Sequence, residues 1–318
     1  MFLSPVTEND VIIAIAKLKY KKCSGYDDVC DDVVKHCHKP IVKPLAHIIE
    51  ASFKEGVFPD LLKIAKVFPL YKKGDECDLN NYRPVANITT FSKIFEIVME
   101  QKLRQYLYKF NILSKSQHGF LKGKSTSDAI IDFIFHAYNA FDKRKYSTGI
   151  FYDMSKAFDL VDHQILLRKL ETYGIRGRAL KWIKSYLSER VQLVEISHND
   201  GKEVKSFKST SQRITYGVPQ GSILGPLLFL LFINDLKSFI TSGHVINFAD
   251  DVNILIQANT LEELEQLLTL AIKEMKEWCQ KNKLCLNESK TNIIQFRSNE
   301  KVILNANSVY KQLYVEEA

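Results

Sequence analysis

An α+β fold, an antiparallel sheet with helices packed on one side, is predicted by three observations. Short apolar runs of strand length alternate with longer segments whose apolar residues recur every three and four positions. Two of the strand-length runs carry carboxylates, at Asp153 and at Asp250-Asp251. No internal repeat or low-complexity linker divides the 318 residues, a length that suits one large multilobed domain or two smaller ones.

The elements follow in chain order. Thr7, with Asp10 three residues on, caps a helix whose apolar face is Val11, Ile12, Ile15 and Leu18, and Gly25 ends its regularity. A second helix runs from about Pro44 to Lys54, until Gly56 and Pro59 break the pattern. Ala65 to Leu70 reads as a short strand before the polar turn Lys72-Lys73-Gly74-Asp75 and a longer loop. Helices are expected over Thr89 to Leu107, with Ile94, Phe95, Ile97, Val98 and Leu103 inward, and over Thr126 to Phe141. Gly149 to Tyr152 is placed as a central strand carrying Asp153 at its end.

Two further helices cover Gln164 to Thr172 and Ala179 to Leu187. Val191 to Ile196 and Lys205 to Phe207 form a hairpin around Asn199-Asp200-Gly201. The apolar segment Ile223 to Leu236 is of helical length and is read as a buried helix. Asn247 to Ile254 forms a second hairpin with the acids at its turn. Thr260 and Glu263 then open a helix whose stripe of Leu261, Leu264, Leu267, Leu268, Ala271, Met275, Trp278 and Cys279 is core packing, and Thr291 to Phe296 returns to strand. The order of strand, helices, hairpin, helix, acidic hairpin, helix and strand fits a ferredoxin-like or split βαβ arrangement.

Composition is that of an ordered globular chain, 46% hydrophobic and 25% charged, which argues against disorder. The net charge is +7 and the pI about 8.9. That excess permits nucleic acid as a partner without requiring it. Early lysines, among them Lys17, Lys19, Lys63, Lys66, Lys72, Lys73, Lys122 and Lys124, would attract a phosphate backbone if they line one face. The six cysteines form no CxxC pair, so reduced thiols are expected, and Cys37 between His36 and His38 lacks the second ligand pair of a zinc site. Ser4-Pro5 interrupts any signal-like core, and the longest apolar block, Ile223 to Ile233, is shorter than a membrane span. An intracellular chain without a membrane partner is expected, in nucleus or cytoplasm.

Asp153 and Asp250-Asp251 carry the chemistry. Hard divalent cations prefer carboxylate oxygens, and phosphoryl transfer concentrates negative charge in its transition state, so two strand-borne acidic sites suit a metal-dependent centre. Taken alone, the Asp-Asp pair reads first as a solvated hairpin turn. Side chains alternate along a strand, so Asp251 need not point the same way as Asp250.

Three blocks together, Phe151-Tyr152-Asp153-Met154-Ser155-Lys156-Ala157-Phe158-Asp159, Tyr216 to Pro226 and Phe248-Ala249-Asp250-Asp251, resemble the successive palm motifs of reverse transcriptases. Ile223-Leu224-Gly225-Pro226 is most similar to the enzymes of non-LTR, LINE-like retrotransposons. Asn81-Tyr82-Arg83-Pro84-Val85, Lys93 to Glu96 and Gln117-His118-Gly119-Phe120 resemble their fingers region. Ser24-Gly25-Tyr26-Asp27 is similar to the family's entry motif, with Tyr26 where proline is usual.

The resemblance implies a right-hand polymerase, with fingers and their connection over 1–145 and a ferredoxin-like antiparallel palm sheet packed with helices over 146–318. It implies RNA-directed DNA synthesis on an RNA template, with a DNA primer, deoxynucleoside triphosphates and Mg2+, for which Mn2+ can substitute. Asp153 and Asp250 are then the acids that hold the two metal ions, with Asp251 after them as a further catalytic and metal-binding acid. Phe158 would lie beneath the incoming sugar and reject a ribose 2′ hydroxyl, the alternative being a core phenylalanine. Gln220 and Gly221 would contact the nucleotide or template, Arg83 with Lys72 or Lys73 would contact the triphosphate, and Lys290 would assist the leaving group.

Ser308 to Val315 resembles the primer-grip region only loosely, so a thumb largely absent and weak retention of primed template are expected. A group II intron-like maturase and an RNA-dependent RNA polymerase are alternative enzymes with acidic palms; the 223–226 block speaks against the first and Phe158 against the second. A non-catalytic nucleic-acid-binding remnant is the alternative outside enzymes.

Overall fold

The computed structural model describes residues 1–20, 24–199, 201, 203–296 and 315–317. In chain order it holds α1 (Glu8–Lys17), α2 (Asp31–His36), α3 (His38–Glu55), β1 (Ile64–Tyr71), β2 (Tyr82–Ile88), α4 (Thr90–Lys109), α5 (Thr126–Asp142), β3 (Tyr146–Tyr152) and β4 (Met154–Ser155). There follow α6 (His163–Thr172), α7 (Gly177–Leu187), β5 (Arg190–Asn199), β6 (Val204–Lys208), β7 (Gln212–Ile214), α8 (Leu224–Ile233), α9 (Leu236–Phe239), β8 (His244–Phe248) and β9 (Asp251–Ala258). The last elements are α10 (Leu261–Asn282), β10 (Cys285–Leu286), β11 (Asn292–Phe296) and β12 (Val315–Glu317).

Local side-chain caps account for the starts of α1, α4, α5 and α10. Thr7 and Asp10 close a reciprocal capping box at α1, and Ser125 with Asp128 does the same at α5. At α10 the Thr260 hydroxyl accepts from Glu263 N, 3.2 Å, while Glu263 reaches back to Asn259 N, 2.8 Å. Strand β3 starts three residues before the expected Gly149, β2 occupies part of the loop expected after residue 75, and two helices also differ from expectation. Helix α3 begins at His38 rather than near Pro44, because its buried face of Val42, Leu45, Ala46, Ile49 and Phe53 runs continuously past the proline. The segment expected as one helix over 223–236 ends at Ile233, where the Asn234 side chain accepts from Ser114 N, 2.8 Å, and α9 starts afresh.

The chain forms two compact units interleaved in sequence. Residues 1–112 and 163–228 make the first, and 113–162 and 229–318 the second. The first unit holds a mixed sheet of order β2-β1-β5-β6, with β7 also on β5. Its β1 and β5 run parallel, pairing Ile64 with Val191 and Val67 with Val194, a departure from the wholly antiparallel arrangement expected. The hairpin of β5 and β6 is present, although Asp200 and Lys202 in its turn lie outside the described residues. Phe58 anchors the core, edge-on to Trp182 and Tyr186 at 5.2 Å each and to Phe95 at 6.0 Å.

The second unit is built on a sheet of order β12-β11-β3-β9-β8, antiparallel except for the β11–β12 pair. Helices cover both of its faces, not one. Phe133 of α5 packs on Phe151 at 5.2 Å and against Gly149, so those alternate residues of β3 face α5. Thr148, Ile150 and Tyr152 point the other way and are buried on the side where α10 packs. The stretch expected to resemble a primer grip, 308–315, lies outside the described residues save for Val315. Among the described residues no helix is long and apolar enough to cross a membrane, and Cys30, Cys37, Cys77, Cys279 and Cys285 carry no disulfide.

Candidate active site

Strand register brings the predicted acids of the second unit to one end of its sheet. Tyr152 pairs with Val252 across β3 and β9, so Asp153 and Asp251, one step beyond the ladder, stand opposite each other. By the pleat, Asp153 shares the face of Phe151, and Asp251 that of Asn253, the partner of Phe151. Both therefore lie on the α5 side. Asp250 sits instead in the two-residue turn between Phe248 and Asp251, preceded by Ala249 in the left-handed region, φ 56°.

That turn is held from outside. Gln117 Oε1 accepts hydrogen bonds from Ala249 N at 3.0 Å and from Gly119 N at 2.7 Å, and His118 N donates to Asn247 O at 2.8 Å. A β-carbon on Gly119 would collide with the Ala249 backbone, so glycine alone allows this approach. The sequence marks Gln117 to Phe120 as a block but offers no sign of this role, because the partner is 132 residues away.

Asp251 is electrostatically coupled to the other two acids. Burial raises the Asp251 pKa, and the negative charges of Asp250 and then Asp153 raise it further, although the residue keeps part of its surface in solvent. Lys290 Nζ lies 3.5 Å from Asp153 Oδ2, and Asn287 N donates to Asp153 O at 2.8 Å, so the structure brings Lys290 and Asp153 together. Asp153, Asp251 and Lys290 line a cleft of about 810 Å3 whose other wall is apolar, formed by Ile130, Phe133 and Ile134 of α5. Phe158 lies beside Phe229, stacked at 4.4 Å and 25°, and edge-on to Phe120 at 6.2 Å, with part of its surface exposed.

The remaining predicted residues belong to the first unit. Lys72 and Lys73 follow β1 and Arg83 is the second residue of β2, all three exposed. Ala86 N of β2 donates to Gln220 O at 2.7 Å, and a β-carbon on Gly221, φ 114°, would strike Ala86 O. The start of α8 is capped from a distance. The fully buried Glu96 accepts from Ile223 N at 2.7 Å and Leu224 N at 3.0 Å, and burial raises its pKa against the opposing charge of Arg190.

A second cluster lies elsewhere on the α5 face of the second unit. Asp132, His136 and His244 bring one potential ligand atom each within 4.8 Å of the others, the one such trio among the described residues. The aspartates at 153, 250 and 251 are electrostatically coupled but not gathered that closely. Sequence reading missed the trio, since only Asp132 and His136 share a local spacing.

Comparisons with known proteins agree with the motifs. A profile of the family described as reverse transcriptase (RNA-dependent DNA polymerase) matches residues 71–308. The chain is 29% identical to the probable RNA-directed DNA polymerase from transposon BS of Drosophila melanogaster, over 91% of this chain and 32% of that protein. It is 28% identical to the RNA-directed DNA polymerase from mobile element jockey of the same organism, over 92% of this chain and 32% of the relative. The chain thus spans about a third of the length of these relatives. In fold it is similar to apo telomerase from Candida tropicalis truncated from its C-terminal domain, TM-score 0.54 and 14% identity, over 82% of this chain and 56% of that one.

Proposed function

Since the chain belongs to the reverse transcriptase (RNA-dependent DNA polymerase) family, within its non-LTR, LINE-like branch, we propose that it catalyses RNA-directed DNA synthesis. The observation that carries the reading is the shared face of Asp153 and Asp251 at neighbouring strand ends, with Asp250 in the adjoining turn. In the reaction the 3′ oxygen of a DNA primer, annealed to template RNA, bonds to the α-phosphorus of a deoxynucleoside triphosphate. The bond to pyrophosphate breaks and the hydroxyl proton is released.

The residues fit hard divalent cations in kind, being oxygen donors, with Asp251 raised by burial and then by the charges of Asp250 and Asp153, and with Lys290 beside Asp153. Asp153, Asp250 and Asp251 would hold Mg2+, or Mn2+ in its place, which when bound supplies a more acidic primer hydroxyl and neutralises triphosphate charge. Lys290, beside Asp153, is proposed to meet negative charge on the leaving group. The half-exposed ring of Phe158 is assigned to the underside of the sugar. In the family's terms the sheet of β3, β8 and β9 corresponds to the palm, and the fingers, proposed over 1–145, fall mostly in the first unit. There Arg83, with Lys72 or Lys73, is proposed to contact the triphosphate, and Gln220 with Gly221 the nucleotide or template.

The test is extension of a DNA primer on template RNA by purified protein with Mg2+ and each nucleotide type. Deoxynucleotide addition is expected, and Asp153→Asn or Asp250→Asn should lower it by about a thousandfold or more, roughly 4 kcal/mol of barrier. Binding of primed template without any extension at saturating substrate would support a binding remnant instead.

A further inference from the structure

We propose that Asp132, His136 and His244 form a structural site for a zinc-class divalent ion that fastens α5 to β8, with His118 steadying the aspartate. Asp132 and His136 are one helical turn apart on α5 and so share a face. His244 opens β8 opposite Leu255, itself paired with Gly149, on the side of the sheet that packs against α5. The His136 and His244 rings lie 3.8 Å apart at 34° and direct both Nε2 atoms to the same oxygen, Asp132 Oδ1, at 3.4 and 3.3 Å. An ion bound tetrahedrally at about 2.0–2.1 Å spaces its donors about 3.3–3.4 Å apart, so the two edges to Asp132 already match such a site, and all three donors lie within 4.8 Å of one another.

The neighbouring His118 supports the same reading. His118 is buried, 6% exposed, and neither ring nitrogen has a hydrogen-bond partner, although Nε2 is 3.4 Å from Asp132 Oδ2. Of the three imidazoles around this carboxylate, only His244 makes contacts of hydrogen-bond geometry. An ion on Oδ1 would leave Oδ2 for His118, the outer-shell arrangement common at metal sites. Two imidazoles and one carboxylate favour zinc and its neighbours over magnesium, which prefers oxygen alone.

The site is distinct from the acidic turn. His244 and Phe248 are the two ends of β8, roughly 13 Å apart at strand rise. Its consequence would nevertheless reach that turn, because His118 lies between Gln117 and Gly119, which support Ala249. An ion here would stiffen the scaffold rather than take part in phosphoryl transfer.

Full-length protein stripped with chelator and titrated with Co2+ tests the assignment. The expected result is the visible absorption of one tetrahedral cobalt ion per chain, abolished by Zn2+, with a rise in melting temperature. His136→Gln or His244→Ala should remove one bound ion per chain and the thermal shift, and His118→Gln should weaken binding about tenfold. Cys37→Ser and Asp251→Asn should leave the signal in place. His136→Gln is the safer variant, since its side chain is 36% exposed. No cobalt spectrum in the wild-type chain, or unchanged stoichiometry and thermal shift in folded His136→Gln, would overturn the proposal.

Discussion

Phe158 stacks face to face on Phe229 while part of it stays open, so one side chain serves both packing and any role toward a sugar. Phe158→Ala should cost about 1–2 kcal/mol of stability, below the cost of a fully buried ring. It should also shift the preference between deoxyribonucleotides and ribonucleotides toward the latter on the order of tenfold, or about 1.4 kcal/mol. Single-nucleotide incorporation kinetics decide the matter; an unchanged ratio in a folded, active variant would leave Phe158 with packing alone. Gly119 gives a second residue-scale prediction. Adding one methyl there forces the Ala249 backbone away, so Gly119→Ala should lower primer extension by about tenfold or more while unfolding stays cooperative. Wild-type activity in that variant would show that the turn tolerates displacement.

At the scale of elements, α10 reaches across to fix the entry into β8. Glu274 accepts from Thr241 Oγ1 and N and from Ser242 Oγ at 2.7 Å and N at 3.2 Å. Burial alone would raise its pKa, but these donors outweigh it and hold the carboxyl below the ordinary glutamate value. A carboxylate lowered on folding adds stability above its unfolded pKa, and that contribution disappears as pH falls through the folded value. Glu274→Gln should therefore cost about 1 kcal/mol near neutral pH, after allowance for solvent screening, and the deficit should shrink below about pH 4. Denaturant unfolding of both proteins across that range measures it; a pH-independent difference would assign the effect to packing.

For the whole molecule, the +7 charge bears on nucleic-acid affinity rather than on fold. Binding of primed RNA should weaken steeply with salt, the logarithm of the association constant falling linearly with the logarithm of salt concentration. Fluorescence anisotropy across salt concentrations gives the slope. A slope near zero would mean that the lysine-rich segments do not meet the phosphate backbone.

Much of the molecule is written in short stretches of sequence. Capping pairs such as Thr7 with Asp10, the stripe of α10 and the two-residue turn at Ala249-Asp250 depend on neighbours a few positions apart, so their patterns survive in one dimension. The ordered acidic and glycine-bearing blocks likewise sufficed for the family. What only the tertiary structure decided are pairings between distant segments that no local periodicity encodes: β1 beside β5 in parallel, Glu96 capping α8, Gln117 holding Ala249, and Asp132 with His136 meeting His244. Even the shared face of Asp153 and Asp251 is a matter of register. A one-residue slip of β9 against β3 would turn Asp251 away from Asp153, and the hydrophobic burial of Ile150, Val252 and Ile254 on the opposite face is the physical reason it does not slip.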